Sequence, residues 1–161
     1  MHDADLKKLQ QTLAAEMPIC TPMGIVPASW DGLQLAMQMP LAPNRNHQYS
    51  AFAGSLNALC TIAGWSSVYV LLKDLDRHGA IVIRRSSIRY HEPVNSAEIF
   101  ARCQPISAEA RQFFLEMLDD KKQAKMDLNV EITGKNGPLV SFNGSYVVIQ
   151  NGNGETVAAS I

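Results

Sequence analysis

Asn46 and His47 stand in a polar loop a few residues ahead of Gly54, at the start of a stretch from Ala51 to Leu72 that carries no formal charge. An imidazole titrates near neutrality and suits general acid or base work. An asparagine amide can hold a water or a carbonyl, or close an Asx turn. If the uncharged stretch is a helix, the unsatisfied N–H groups of its first turn favour negative charge developing on a carbonyl oxygen. Gly54 in that turn either lets a ligand approach the backbone closely or serves tight packing. Ser55, Asn57 and Thr61 are the next polar groups along the stretch. Hydrogen bonding to the preceding turn or across a subunit contact competes with a role in chemistry for them.

No Asp or Glu occurs between Asp31 and Asp74, so a helix-borne carboxylate base is missing. There is no Gly-x-Ser-x-Gly elbow, no Asp/Glu metal cluster and no phosphate-cradling glycine loop. Cys20, Cys60 and Cys103 are odd in number and lack CxxC spacing, which suggests neither a disulfide frame nor a zinc site. Cys60 lies in the apolar stretch and reads as a buried, inert thiol. A reduced, cytoplasmic compartment is expected. The polar N-terminus MHDADLKKLQ does not read as a signal peptide.

A chain of 161 residues with 47% apolar and 18% charged residues reads as one globular domain. The net charge of −1, with no basic cluster, excludes a nucleic-acid footprint. The stretch from Ala51 to Leu72 is long enough for a membrane span. Its Ser55, Asn57, Thr61, Ser66, Ser67 and Tyr69, and the lack of Lys/Arg asymmetry in its flanks, favour a helix wrapped by a sheet.

The elements that must position these groups follow from periodicity. Residues 3–16 form a helix with Leu6, Leu9, Leu13 and Met17 on one face and Asp3 as its cap, and Pro18 and Pro22 break it. Residues 24–31 and 33–40 are strands about Asp31-Gly32. A loop over 42–48 leads into the long helix, about 50–75, with Gly79 as its stop. Strands at 80–91 and 97–104, a helix at 107–122 and strands at 125–134 and 139–149 complete a domain spanning 1–150, with 151–161 a flexible tail. This order predicts an α+β fold with an antiparallel sheet.

The segment AsnArgAsnHisGlnTyrSerAlaPheAlaGlySerLeuAsnAlaLeu (44–59), with AlaGlyTrp (63–65), resembles the YiiD C-terminal family of thioesterases. IleArgTyrHisGluProVal (88–94) resembles the strand and turn that follow in hotdog proteins. The resemblance implies the hotdog fold, a curved antiparallel sheet around one long central helix. It implies a homodimer joined side by side through the sheets, with a dimer of dimers as the larger assembly. It implies acyl-CoA or acyl-carrier-protein thioesters as substrates, with coenzyme A present only as part of the substrate and no other cofactor or metal.

The same resemblance assigns residues. Asn46 has the spacing to Phe52 that an Asn has to a His-Gly-Gly in phenylacetyl-CoA-type hotdog thioesterases, so Asn46 would hold water or carbonyl. Phe52 stands where that His would be, and Ala53-Gly54 replaces the paired glycines. The place of the helix acid falls on Thr61, which can orient a water but cannot be a base at neutral pH. His47 or a carboxylate from elsewhere would then supply the base. Arg45, Arg84, Arg85, Arg89 and Arg102 are candidate contacts for the coenzyme A phosphates. Arg85 and Arg89 are expected on one face of their strand and Arg84 on the other. Trp65, Tyr69 and Phe52 bear on pocket depth, with Trp65 read as core. Two other readings stand beside hydrolysis: a non-catalytic acyl-CoA-binding module, which the missing acid favours, and acyl-thioester dehydration.

Overall fold

The computed structural model describes residues 3–151. The expected tail therefore falls almost wholly outside the described residues, as does the side chain of Asp3. The elements run α1 (Asp3–Glu16), α2 (Cys20–Met23), β1 (Val26–Trp30), β2 (Leu35–Pro40), α3 (Ala53–Asp74), β3 (Ala80–Tyr90), β4 (Glu98–Cys103), α4 (Ala108–Lys121), β5 (Gln123–Gly134) and β6 (Gly137–Ile149). The six strands form one antiparallel sheet in the order β1-β2-β4-β5-β6-β3. The concave face of the sheet holds α3, which packs on β2, β3, β4, β5 and β6. This is the hotdog arrangement that the sequence resemblance implies.

Alternation builds the inner face. In β5, Ala124, Met126, Leu128, Val130 and Ile132 are buried while Lys125, Asp127 and Asn129 point out. On α3, Leu56, Leu59, Cys60, Ile62, Ala63, Val68, Val70, Leu71 and Leu72 are buried, so the helix is apolar on most sides because sheet surrounds it. Some 72% of its most apolar window lies inside the fold. The uncharged stretch is a core helix.

One contact fixes α3 against the sheet. The Tyr146 hydroxyl on β6 donates to the Thr61 carbonyl over 2.7 Å. Gly64 leaves room for it, because a Cβ there would overlap the phenol oxygen and lie 2.5 Å from Cζ. Burial raises the Tyr146 phenol far above its usual range, so it remains a donor. Trp65 stacks on Tyr69 at 5.5 Å and donates to the Ile81 carbonyl over 3.3 Å, a packing role as expected.

Several local expectations are corrected. Pro22 does not simply break the chain. It sits in the short helix α2, where a first-turn N–H has no intrahelical partner to lose, and Gly24 closes that turn at φ 69°. The β1–β2 hairpin turns over residues 31–34, since Trp30 pairs with Leu35. Asp31 Oδ1 accepts from the amides of Leu33 and Gln34, which holds its carboxyl below the usual range. Leu33 is consequently exposed and outside the expected alternation. Gly79 does not stop α3. The helix ends at Asp74, with Leu75 as its cap and Asp76 left-handed at φ 51°. Gly79 packs on β6, where a Cβ would meet Val148 Cγ1 at 2.7 Å. On α4, Ser107 caps the helix by accepting from the Ala110 amide, Phe114 and Leu118 are buried, and Phe113 faces solvent.

All three cysteines are free and buried. Burial pushes the Cys60 thiol up to about 12 and Cys103 to about 11, and it raises Cys20. The native protein should therefore show no reaction with an aromatic disulfide reagent at pH 8 over minutes, and all three thiols should react in guanidinium. Rapid labelling of the native chain would contradict the packing described for α3.

Candidate functional site

The start of α3 is uncapped. Phe52 is the N-cap residue, with φ −63° and ψ 130°, and its side chain makes no capping hydrogen bond. The amides of Ser55 and Leu56 reach back to the Phe52 carbonyl at 3.0 and 3.1 Å. Among the described residues, no protein acceptor is found for the amides of Ala53 and Gly54. Two orphan donors, at the positive end of a helix of 22 residues, are thus exposed at one spot.

The loop ahead of α3 is held by Asn46. Its Oδ1 accepts from the Gln48 amide at 2.8 Å and the Ser50 amide at 3.3 Å, and its Nδ2 donates to Ser50 Oγ at 3.0 Å. The Asn46 backbone amide donates to the Ser50 carbonyl over 2.7 Å. The side chain thereby closes an Asx turn from 46 to 50, with Tyr49 left-handed at φ 62°. Asn46 first of all shapes the loop. The loop is then tied to the helix and to the β3–β4 connection, by Phe52 N to the Asn44 carbonyl and Ala51 N to the Val94 carbonyl, both 2.8 Å.

Those ties create a groove of about 290 Å³ lined by Asn46, Ser50, Ala51, Ala53, Leu56 and the run Tyr90-His91-Glu92-Pro93-Val94. Tyr90 closes one wall by donating from its hydroxyl to the Ala53 carbonyl over 3.0 Å, which pins the first turn of α3 to the end of β3. Burial raises the Tyr90 phenol, keeping it a donor. The His91 ring is engaged by Ser141, with Nε2 2.9 Å from Ser141 Oγ. Glu92 is exposed and is the one carboxylate among the lining residues. A groove lined by Ala53, whose amide is free, and by a carboxylate can polarise a carbonyl and accept a proton from water.

The residues singled out in the sequence separate into two groups. Asn46 and the first turn of α3 meet in the groove. His47 stands exposed in the Asx turn and is not among the lining residues. Gly54 has a packing explanation, since a Cβ would overlap the Phe52 ring and the space is taken by that ring, itself 55% exposed. Ser55 is buried. Thr61 Oγ1 donates to Asn57 Oδ1 over 3.4 Å, so these two hydroxyl and amide groups satisfy each other down the helix, away from the groove lining. Arg45 sits over the Tyr49 ring at 4.7 Å, on the loop that forms the groove.

Arg85 and Arg89 pair with Ser145 and Ser141, whose side chains alternate with the buried Tyr146, Phe142 and Val140. The two arginines therefore share the outer face of the sheet, opposite α3, while Arg84 falls in the β-bulge between Ile83 and Arg85. Arg85 stands near Asp127, whose carboxyl is held below its usual range first by the Ser145 hydroxyl and then by Lys125. Arg102 pairs with Glu131 on the same outer face and lies over Phe100 at 5.4 Å.

Sequence reading missed Tyr90, Glu92 and Ser50 as groove residues. The similarity at 88–94 marked the strand and turn, but it is the Ala51–Val94 and Tyr90–Ala53 bonds that show this turn meeting the helix start.

Comparison with known proteins agrees with this architecture. A protein of unknown function from Chlorobaculum tepidum is 29% identical, with a TM-score of 0.86 over 92% of this chain and 100% of its own. A "putative thioesterase" from Shewanella oneidensis is 30% identical, with a TM-score of 0.81 over 90% of this chain and 97% of its own. A thioesterase from Haemophilus influenzae, at 15% identity and a TM-score of 0.70 over 93% of this chain and 94% of its own, shares the fold. Residues 6–150 match the family described as "Putative thioesterase (yiiD_Cterm)". With that match spanning the helix start, the groove and the whole sheet, the chain belongs to the YiiD C-terminal family of thioesterases.

Proposed function

We propose that the protein hydrolyses an acyl-CoA or acyl-carrier-protein thioester to a carboxylic acid and a free thiol, in a reduced, cytoplasmic setting. The observation that carries this reading is the pair of unpartnered amides at the start of α3, Ala53 in the groove lining and Gly54 next to it. A thioester carbonyl placed there gains charge on its oxygen as water attacks, and the two N–H groups with the helix dipole stabilise that charge. Arg45 on the groove-forming loop offers a guanidinium for the phosphates of coenzyme A, and Arg85 and Arg89 offer two more on the outer face. Coenzyme A enters only as the leaving group.

The test is release of free thiol from a panel of acyl-CoAs, from acetyl to palmitoyl, by the purified protein. Turnover of at least one member, with product acid, is expected. A second reading, a non-catalytic acyl-CoA-binding module, is favoured by the lack of any carboxylate on α3 before its last residue, Asp74. It would be selected by a ligand-induced rise in melting temperature without turnover. An enoyl product would mark dehydration instead.

A homodimer joined through β3 is part of the same proposal. β3 is an edge strand of 11 residues, paired on one side by β6, and a long edge is a template for pairing with a second copy. Light scattering behind size exclusion should give twice the chain mass, or four times for a dimer of dimers. A monomer at micromolar concentration would contradict it.

A further inference from the structure

The reading above leaves the attacking water without a base. We infer that Glu92, in the turn after β3, is the general base of the hydrolysis, and this assignment rests on the thioesterase reading. Three observations converge on it. Glu92 is the one carboxylate lining the groove, and Ala53, whose amide has no protein acceptor among the described residues, lines that same groove next to Gly54. Its backbone is held in place: the His91 and Glu92 amides both donate to the Leu139 carbonyl, at 2.8 and 3.3 Å, and Val94 is bonded to Ala51. Its carboxylate is exposed and takes part in none of the ion pairs among the described residues.

The other titratable groups near the groove have other engagements or positions. The Tyr90 hydroxyl donates to Ala53, His91 is bonded to Ser141, Arg45 lies over Tyr49, and His47 stands outside the lining. The 42–52 loop contributes no acid, and the one acid on α3, Asp74, is at the helix's far end beside Arg111. A carboxylate on the turn facing the helix start replaces one carried by the helix.

The step balances as follows. Glu92 takes a proton from water as the water oxygen bonds to the thioester carbon. The carbonyl electron pair moves to oxygen, against the Ala53 and Gly54 amides. The tetrahedral species collapses, restoring C=O and breaking C–S, and the departing thiolate takes the proton back from Glu92. The carboxylic acid then ionises in solvent.

The experiment measures steady-state thiol release with the best acyl-CoA of the panel. Glu92→Gln should lower kcat about 100-fold or more with KM within about threefold of wild type, as expected for loss of a general base. Glu92→Asp should recover part of the rate, and added formate should restore turnover to Glu92→Ala. Glu98→Gln, an exposed acid on β4, should keep the wild-type rate. Melting temperatures near wild type confirm that each variant folds. Full activity in Glu92→Gln while wild type turns over would overturn the assignment and leave the thioesterase reading intact. So would loss of activity in His47→Ala together with an active Glu92→Gln. Absence of turnover in wild type on every acyl-CoA would overturn both.

Discussion

Substituting proline for Ala53 should leave the melting temperature near that of the wild type and lower thioester hydrolysis by about 100-fold or more. Ala53 is the first residue of α3, the position where proline is best tolerated, because its amide has no intrahelical partner. The residue before a proline must be extended, and Phe52 already is, at φ −63° and ψ 130°. The Ala53 carbonyl, which receives the Tyr90 hydroxyl, is retained. The substitution thus removes one N–H and little else. If that N–H stabilises charge on the thioester oxygen, kcat should fall while KM changes little. Removing one such donor typically costs 100- to 1,000-fold, or roughly 3–4 kcal/mol. A proline variant with unchanged kcat would mean that the free amide of Ala53 has no part in the reaction.

Gly64→Ala should be the most destabilising single methyl addition in the core helix, costing about 3 kcal/mol and lowering the melting temperature by roughly 6–12 °C. The added Cβ would overlap the Tyr146 hydroxyl and sit 2.5 Å from its Cζ. The phenol is fully buried between β6 and α3, so it has no free space to retreat into. Moving it would also break its bond to the Thr61 carbonyl and leave buried polar groups unpaired. Tyr146→Phe alone should cost about 1 kcal/mol. In the double variant part of the alanine's cost should be recovered, since the oxygen nearest the new methyl is gone. Chemical denaturation of the four proteins measures the cycle. A Gly64→Ala variant within about 0.5 kcal/mol of wild type would contradict the packing described for α3.

Periodicity alone carried the architecture far. The apolar breadth of α3, the helix at 107–122 and the closing strands are local signals, and each appears where it was expected. The failures share a cause, which is tertiary contact. Gly79 reads locally as a helix stop, but it is required by the approach of Val148. At Gly54 the sequence leaves ligand approach and packing side by side, and the Phe52 ring fills the space a Cβ would need.

The site was legible only on one side. The loop and helix start lie close together in sequence, so Asn46 and Ala53-Gly54 could be related by spacing. Glu92 lies far along the chain and is brought to them by the backbone bond from Ala51 to Val94 and the Tyr90 hydroxyl bond to Ala53, which no composition or motif encodes. His47 attracted attention because it neighbours Asn46 in sequence. An Asx turn, however, carries successive side chains to different sides, and His47 is turned out of the groove while Asn46 remains within it.

The most direct measurement of the central claim is a two-dimensional amide NMR titration of the ¹⁵N-labelled protein with a non-hydrolysable thioether analogue of the preferred acyl-CoA. The Ala53 and Gly54 amide resonances, together with those of Tyr90 to Val94, should show the largest shifts, because the analogue's carbonyl group would lie against the two free N–H groups. Largest shifts on a different surface, with Ala53 and Gly54 unmoved at saturating analogue, would contradict the assignment of the start of α3 as the thioester site.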